Sequence, residues 1–96
     1  MAADFEMIHN FHERAVIQAV RDAVHRYPQL QHASELFPDI ACVALNRLPP
    51  RYIRHEVDFS FFLSDKERAD NETAITAAVD FAVEFVQARM AMRARR

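Results

Sequence analysis

The densest polar run in the chain is Asn46–Arg47–Leu48–Pro49–Pro50–Arg51–Tyr52–Ile53–Arg54–His55. A guanidinium pairs bidentately with phosphate or with the O6/N7 edge of guanine, and its flat face stacks on a base. Two consecutive prolines stiffen the backbone there and lower the entropy cost of presenting those side chains. A rigid turn with solvated arginines accounts for the same residues, and on physics alone it is the preferred reading, because a short arginine cluster is a weak motif.

Other chemistry finds less support. His9 and His12 share a helical face beside Glu13, but His25, His32 and His55 have no fixed spacing to them and no H-E-x-x-H pattern exists. No metal site is expected. Cys42 is the only thiol, so an intrachain disulfide is impossible. It lies within Ala41–Cys42–Val43–Ala44–Leu45, where a cysteine is expected to act as a small buried hydrophobe. With no glycine in 96 residues, a phosphate loop, a dinucleotide-binding fingerprint and a serine nucleophile elbow are all excluded or hard to build. No constellation supports an enzyme.

The elements that must position the arginine run follow from periodicity. Asp4 to Tyr27 reads as one long helix, with Phe5, Ile8, Phe11, Ala15, Ala19 and Ala23 on one stripe and Val16, Val20 and Val24 widening it. Pro28 stops it, and Gln29 to Phe37 reads as a polar linker. Pro38 and Asp39 suit the start of a short, mostly apolar, central helix over Asp39–Leu48, which Pro49 and Pro50 end. In Arg51–Leu63 the alternation of Val57, Phe59, Phe61 and Leu63 predicts a strand, with Tyr52–Ile53 as a possible shorter one. That alternation favours Phe59 and Phe61 as core over a base-stacking platform. Ser64 and Glu67 form a capping box, and a long helix follows to about Met90. Its stripe holds Ile75, Val79, Ala82 and Val86, broadened by Ala78, Phe81 and Phe85. The expected fold is α+β: three helices, two of them long, with a small β segment between the second and third, in a compact homodimer.

The scale fits one domain over residues 1–96, with its core at about 5–90 and a frayed tail at 91–96. A chain this short has a thin core, which dimerisation enlarges. The formal net charge is −2, so no general DNA-binding signature exists. Eleven of the twelve basic residues are arginine, for which genome composition is the simpler explanation and phosphate or guanine recognition the functional one. The opening MAADFEMIHN lacks signal-peptide features, and no apolar run approaches the ~18–20 residues of a membrane span. A cytoplasmic protein is expected.

The segment Asp39 to Ile53, with its A-L-N-x-L-P-P-x-Y core, resembles the signature of the late competence development protein ComFB family. Ile8 to Val16 is similar to the family's opening N-x-x-E-x-x-V helix. The resemblance implies a small, non-enzymatic regulatory protein that forms a homodimer and is linked to competence, motility or surface behaviour. Some members are cyclic dinucleotide receptors, with cyclic di-GMP the best-supported ligand. On that basis Asn46, Arg47, Arg51, Tyr52 and Arg54 become candidate ligand residues: the arginines for phosphate or guanine, Tyr52 for stacking, Asn46 for a base edge. Many relatives carry a zinc-holding C-x-C-x-x-C just before the aspartate; here Gln31–Leu36 holds no cysteine, so that zinc is expected to be lost. No other cofactor is expected. The rival reading is a dimeric adaptor that binds only protein, with the Pro-Pro segment purely structural. In either case the downstream partner is unknown.

Overall fold

The computed structural model describes residues 3–94, and it is mostly helical, with a small antiparallel sheet. After a 3-10 turn at Phe5–Met7 come strand β1 (His9–Asn10), helix α1 (His12–Asp22) and a 3-10 extension at Ala23–His25. Two further 3-10 turns, Pro28–His32 and Ser34–Leu36, lead into α2 (Phe37–Arg47). Strand β2 (Tyr52–Ile53), helix α3 (Glu56–Phe61) and helix α4 (Asp65–Ala94) complete the order. The strands pair antiparallel, His9 opposite Ile53 and Asn10 opposite Tyr52.

Helix α2 packs on both α1 and α4, as its mostly apolar sequence requires. The core is built from Val16, Val20 and Ala23, from Leu30, from Ile40, Ala44 and Leu48, and from the α4 residues Ile75, Ala78, Val79, Ala82, Val83 and Val86. These are aliphatic and mostly small; the phenylalanines stay outside this buried set. At 1.5 Å per residue the 30-residue α4 is about 45 Å long, so it outruns the body it packs against. It continues through Ala94, while Arg95 and Arg96, the end of the tail expected to fray, lie outside the described residues.

Four expectations are corrected. The first helix does not run from Asp4 to Tyr27. Asn10 turns the chain by taking the His12 N–H on its Oδ1 at 3.2 Å, so α1 begins only after it, and Phe5 and Ile8 are exposed. Among the described residues there are thus four α-helices, of which α4 alone is long. The polar linker at 29–37 is instead two 3-10 turns that bury Leu30 completely. The strand expected over Arg51–Leu63 is limited to Tyr52–Ile53. Its partner β1 is two residues long, so further strand would leave its backbone groups unpaired; a helix satisfies them internally, as in the 3.2 Å bond from Phe59 N–H to the His55 carbonyl. Phe59 is half-buried, but Phe61 is exposed and not core. Cys42, finally, is exposed, on the side of α2 turned away from Ile40 and Ala44.

The serine half of the expected capping box forms, and Glu67 meets the Ser64 hydroxyl. Ser64 Oγ accepts the Glu67 N–H at 3.1 Å and donates to Glu67 Oε1 at 3.2 Å. Ser64→Ala is expected to cost about 1 kcal/mol in chemical denaturation. A loss below about 0.3 kcal/mol would show that the first turn of α4 holds without the cap.

Candidate functional site

The arginine run spans the passage from α2 to β2. Leu48 leaves helical geometry at φ −100° and ψ 141°, its N–H still donating to the Leu45 carbonyl at 3.3 Å. Pro49 and Pro50 then offer no N–H with which to continue a helix. Arg51 is gripped at both backbone groups: its N–H donates to Asn10 Oδ1 at 3.2 Å, and its carbonyl accepts the Phe11 N–H at 2.6 Å.

Asn10 is the clip of this junction. It is buried, and its Oδ1 accepts two backbone N–H groups, from His12 and from Arg51. Glu13 Oε1 in return accepts the Asn10 N–H at 3.4 Å. This is a reciprocal cap on α1 whose acceptor also anchors the segment after the prolines. The N-x-x-E spacing in the sequence was the available signal for it.

Beside the clip lies His12, buried, with no hydrogen-bond partner on Nδ1. Desolvation, and secondarily the Arg51 charge, hold its pKa below that of free imidazole, so the ring stays neutral to lower pH.

The arginines rest on aromatic faces. The Arg47 guanidinium carbon stands 3.9 Å from the ring centroid of Phe81 on α4. That of Arg51 stands 4.7 Å from Phe59 on α3, and Phe59 meets Phe11 edge-to-face at 4.6 Å. Such stacking orients a guanidinium while leaving its N–H edge able to donate. Tyr52 is 68% exposed, Arg54 is exposed, and the exposed Asn46 amide donates to the Cys42 carbonyl at 3.0 Å. The five candidate residues therefore share one junction but fall into two groups. Asn46 and Arg47 lean on α2 and α4, while Tyr52 lies in the clipped strand β2 and Arg51 and Arg54 flank it. None of the five lines any of four shallow clefts found among the described residues. One copy offers a basic, aromatic surface at this junction.

Gln31–Leu36 contains no cysteine. Among the described residues no group of three or more His, Cys, Asp or Glu side chains is placed to bind an ion. Also among them, no helix is long and apolar enough to cross a membrane.

Residues 9–90 match the family model described as late competence development protein ComFB. The chain belongs to the ComFB family. No curated protein and no solved structure matches it. The ComFB match opens at His9, the first residue of β1, so it takes in both halves of the Asn10 clip as well as the Pro-Pro junction. Asn10, His12, Phe59 and Phe81 support the site, a role that the sequence reading did not assign to them.

Proposed function

We propose that this ComFB-family chain is a non-enzymatic regulator in a competence-related process, acting in the cytoplasm as a homodimer that binds a cyclic dinucleotide, cyclic di-GMP first. Arg47, Arg51, Tyr52 and Arg54 supply phosphate, guanine and stacking contacts, and Asn46 a base-edge hydrogen bond. Binding shifts the population of dimer states that an unidentified downstream protein reads. The observation that carries this reading is Arg51. Its backbone is clamped at N–H and carbonyl, and its guanidinium lies on Phe59, so little freedom is lost on binding a dianion. A two-fold ligand suits a two-fold dimer, which presents each arginine twice.

A desolvated arginine–phosphate contact contributes roughly 1.5–3 kcal/mol. Arg51→Ala is expected to weaken cyclic di-GMP binding about 10-fold to 150-fold in isothermal titration, with the helical content unchanged. Arg51→Lys keeps the charge but loses the fork and the stacking, and should recover only part of the affinity. Cyclic di-AMP in the same titration reports which base edge is read. If neither nucleotide binds the folded wild type below ~100 µM, the receptor reading fails.

A specific observation favours the protein-only adaptor as second reading. Val57, Phe61 and Phe62 are 82%, 83% and 81% exposed around one short helix, an apolar prominence that no nucleotide contact explains.

A further inference from the structure

His12 has a polar atom that the fold leaves without a partner. Its ring is buried, and among the described residues no group meets Nδ1. A neutral imidazole protonated at Nε2 needs only a bare lone pair there. An imidazolium carries an N–H on both ring nitrogens, so a second proton places a charged donor at Nδ1 with nothing to accept it. Two further features oppose that charge. His12 is the first residue of α1, at the positive end of the helix dipole. Burial and the nearby Arg51 cation together hold the ring neutral.

The surrounding groups offer no relief. On β1, the His9 ring is engaged at Nδ1 with the Met7 carbonyl at 3.1 Å. On α1, the Glu13 carboxylate is turned to the Asn10 N–H, and Arg14 is a further cation. Arg54 and His55, beyond β2, are exposed. The core residues of α2 and α4 are all apolar. Among the described side chains, Arg51 is the one charge that acts on His12.

His12 and Arg51 are also tied through their backbones. Both N–H groups donate to Asn10 Oδ1, and the Phe11 N–H donates to the Arg51 carbonyl. We infer that His12 is a proton-operated latch on this junction: neutral, it lets the Asn10 clip close; protonated, it reaches water only by opening the clip, which frees Arg51 from its clamp. The open form takes its proton near pH 6.5, as an ordinary histidine does, and the closed form only at lower pH. The closed junction is therefore fully favoured above about pH 6.5 and loses ground as the pH falls below it. A clamped Arg51 is what the proposed ligand site uses, so the latch would gate that site by pH. This consequence rests on the proposed function, whereas the latch itself does not.

Amide exchange on the full chain, followed by NMR, tests the latch without nucleotide. It is read as protection factors, which remove the intrinsic pH dependence of exchange. Between about pH 7.5 and about pH 5.5 the Phe11, His12 and Arg51 amides are expected to lose protection several-fold, up to about 10-fold, the ceiling for one histidine that charges only in the open form. In His12→Leu, neutral at both pH values, that loss should vanish. Arg51→Ala removes the neighbouring cation and lets the closed form charge at higher pH, so the loss read at Phe11 should shrink. A wild-type loss below about 2-fold, an undiminished loss in either variant, or a His12 ring that charges at or above about pH 6.5 in the folded chain overturns the latch. Should the leucine variant not fold, the ring titration and Arg51→Ala decide. Failure of the latch leaves the ligand reading standing, and failure of cyclic di-GMP to bind leaves the latch standing.

Discussion

Asn10→Ala lowers folding stability by about 2–4 kcal/mol, the sum of a lost helix cap and a stranded Arg51 N–H. Asn10 Oδ1 is the shared acceptor of two amides on elements far apart in sequence, at His12 and at Arg51. Alanine removes both bonds, and the buried surroundings limit the water that could replace them. For a domain of this size the melting midpoint should fall roughly 10–25 °C. Asn10→Asp keeps an acceptor for both amides and suits the positive end of α1, so it should stay within about 1 kcal/mol of wild type. Urea titration of the three proteins decides the point. An alanine variant within 0.5 kcal/mol of wild type (roughly the scatter of neutral surface changes) would mean that α1 and the post-proline strand hold without the clip.

Leu30→Ala has an expected cost of roughly 2–5 kcal/mol. Leu30 is fully buried, among the largest such side chains in the chain, yet it stands on a 3-10 turn and not on a helix. At the ends of the turn Leu30 N–H donates to the Tyr27 carbonyl and Ala33 N–H to the Leu30 carbonyl, and Leu30 is its one buried side chain. Removing that side chain leaves a cavity in a core that has few large residues with which to refill it. The exposed neighbour Gln31, changed to alanine, should move stability by less than about 0.5 kcal/mol. Equal effects at the two positions would contradict the burial that distinguishes them.

The contrast between these two residues shows what the sequence made readable. Where one side of a helix is buried, the 3.6 spacing declares it: Ile75, Val79, Ala82 and Val86 are core as read, and Ser64 and Glu67 cap the helix that carries them. Leu30 is a single apolar residue among polar ones, and one residue has no period. The run from Val57 to Leu63 alternates, but alternation over so few residues does not distinguish a strand from a short helix with exposed aromatics. Pairing decides it, and β1 is too short to supply a longer partner. The same limit applies at the site. Asn46 to Arg54 stood out by residue type, whereas the grip on Arg51 comes from Asn10, forty-one residues earlier, and the guanidinium supports come from α3 and α4. Contacts of that range leave no trace in local spacing.

The connections of this fold are made without a single backbone in the left-handed region among the described residues, and the chain has no glycine. Prolines, 3-10 turns and the extended caps at Ile8, Leu48 and His55 do the turning. An average chain of this length would carry about seven glycines, each making the denatured ensemble more permissive by about 0.4–1 kcal/mol. Their absence makes the disordered state itself stiffer, so part of this domain's resistance to unfolding lies in the denatured chain and not in any contact of the folded one. A small aliphatic core then has less disorder to overcome. No described loop position requires a positive φ, so alanine scanning of the non-proline turn residues reads side-chain contributions without a left-handed backbone penalty mixed in.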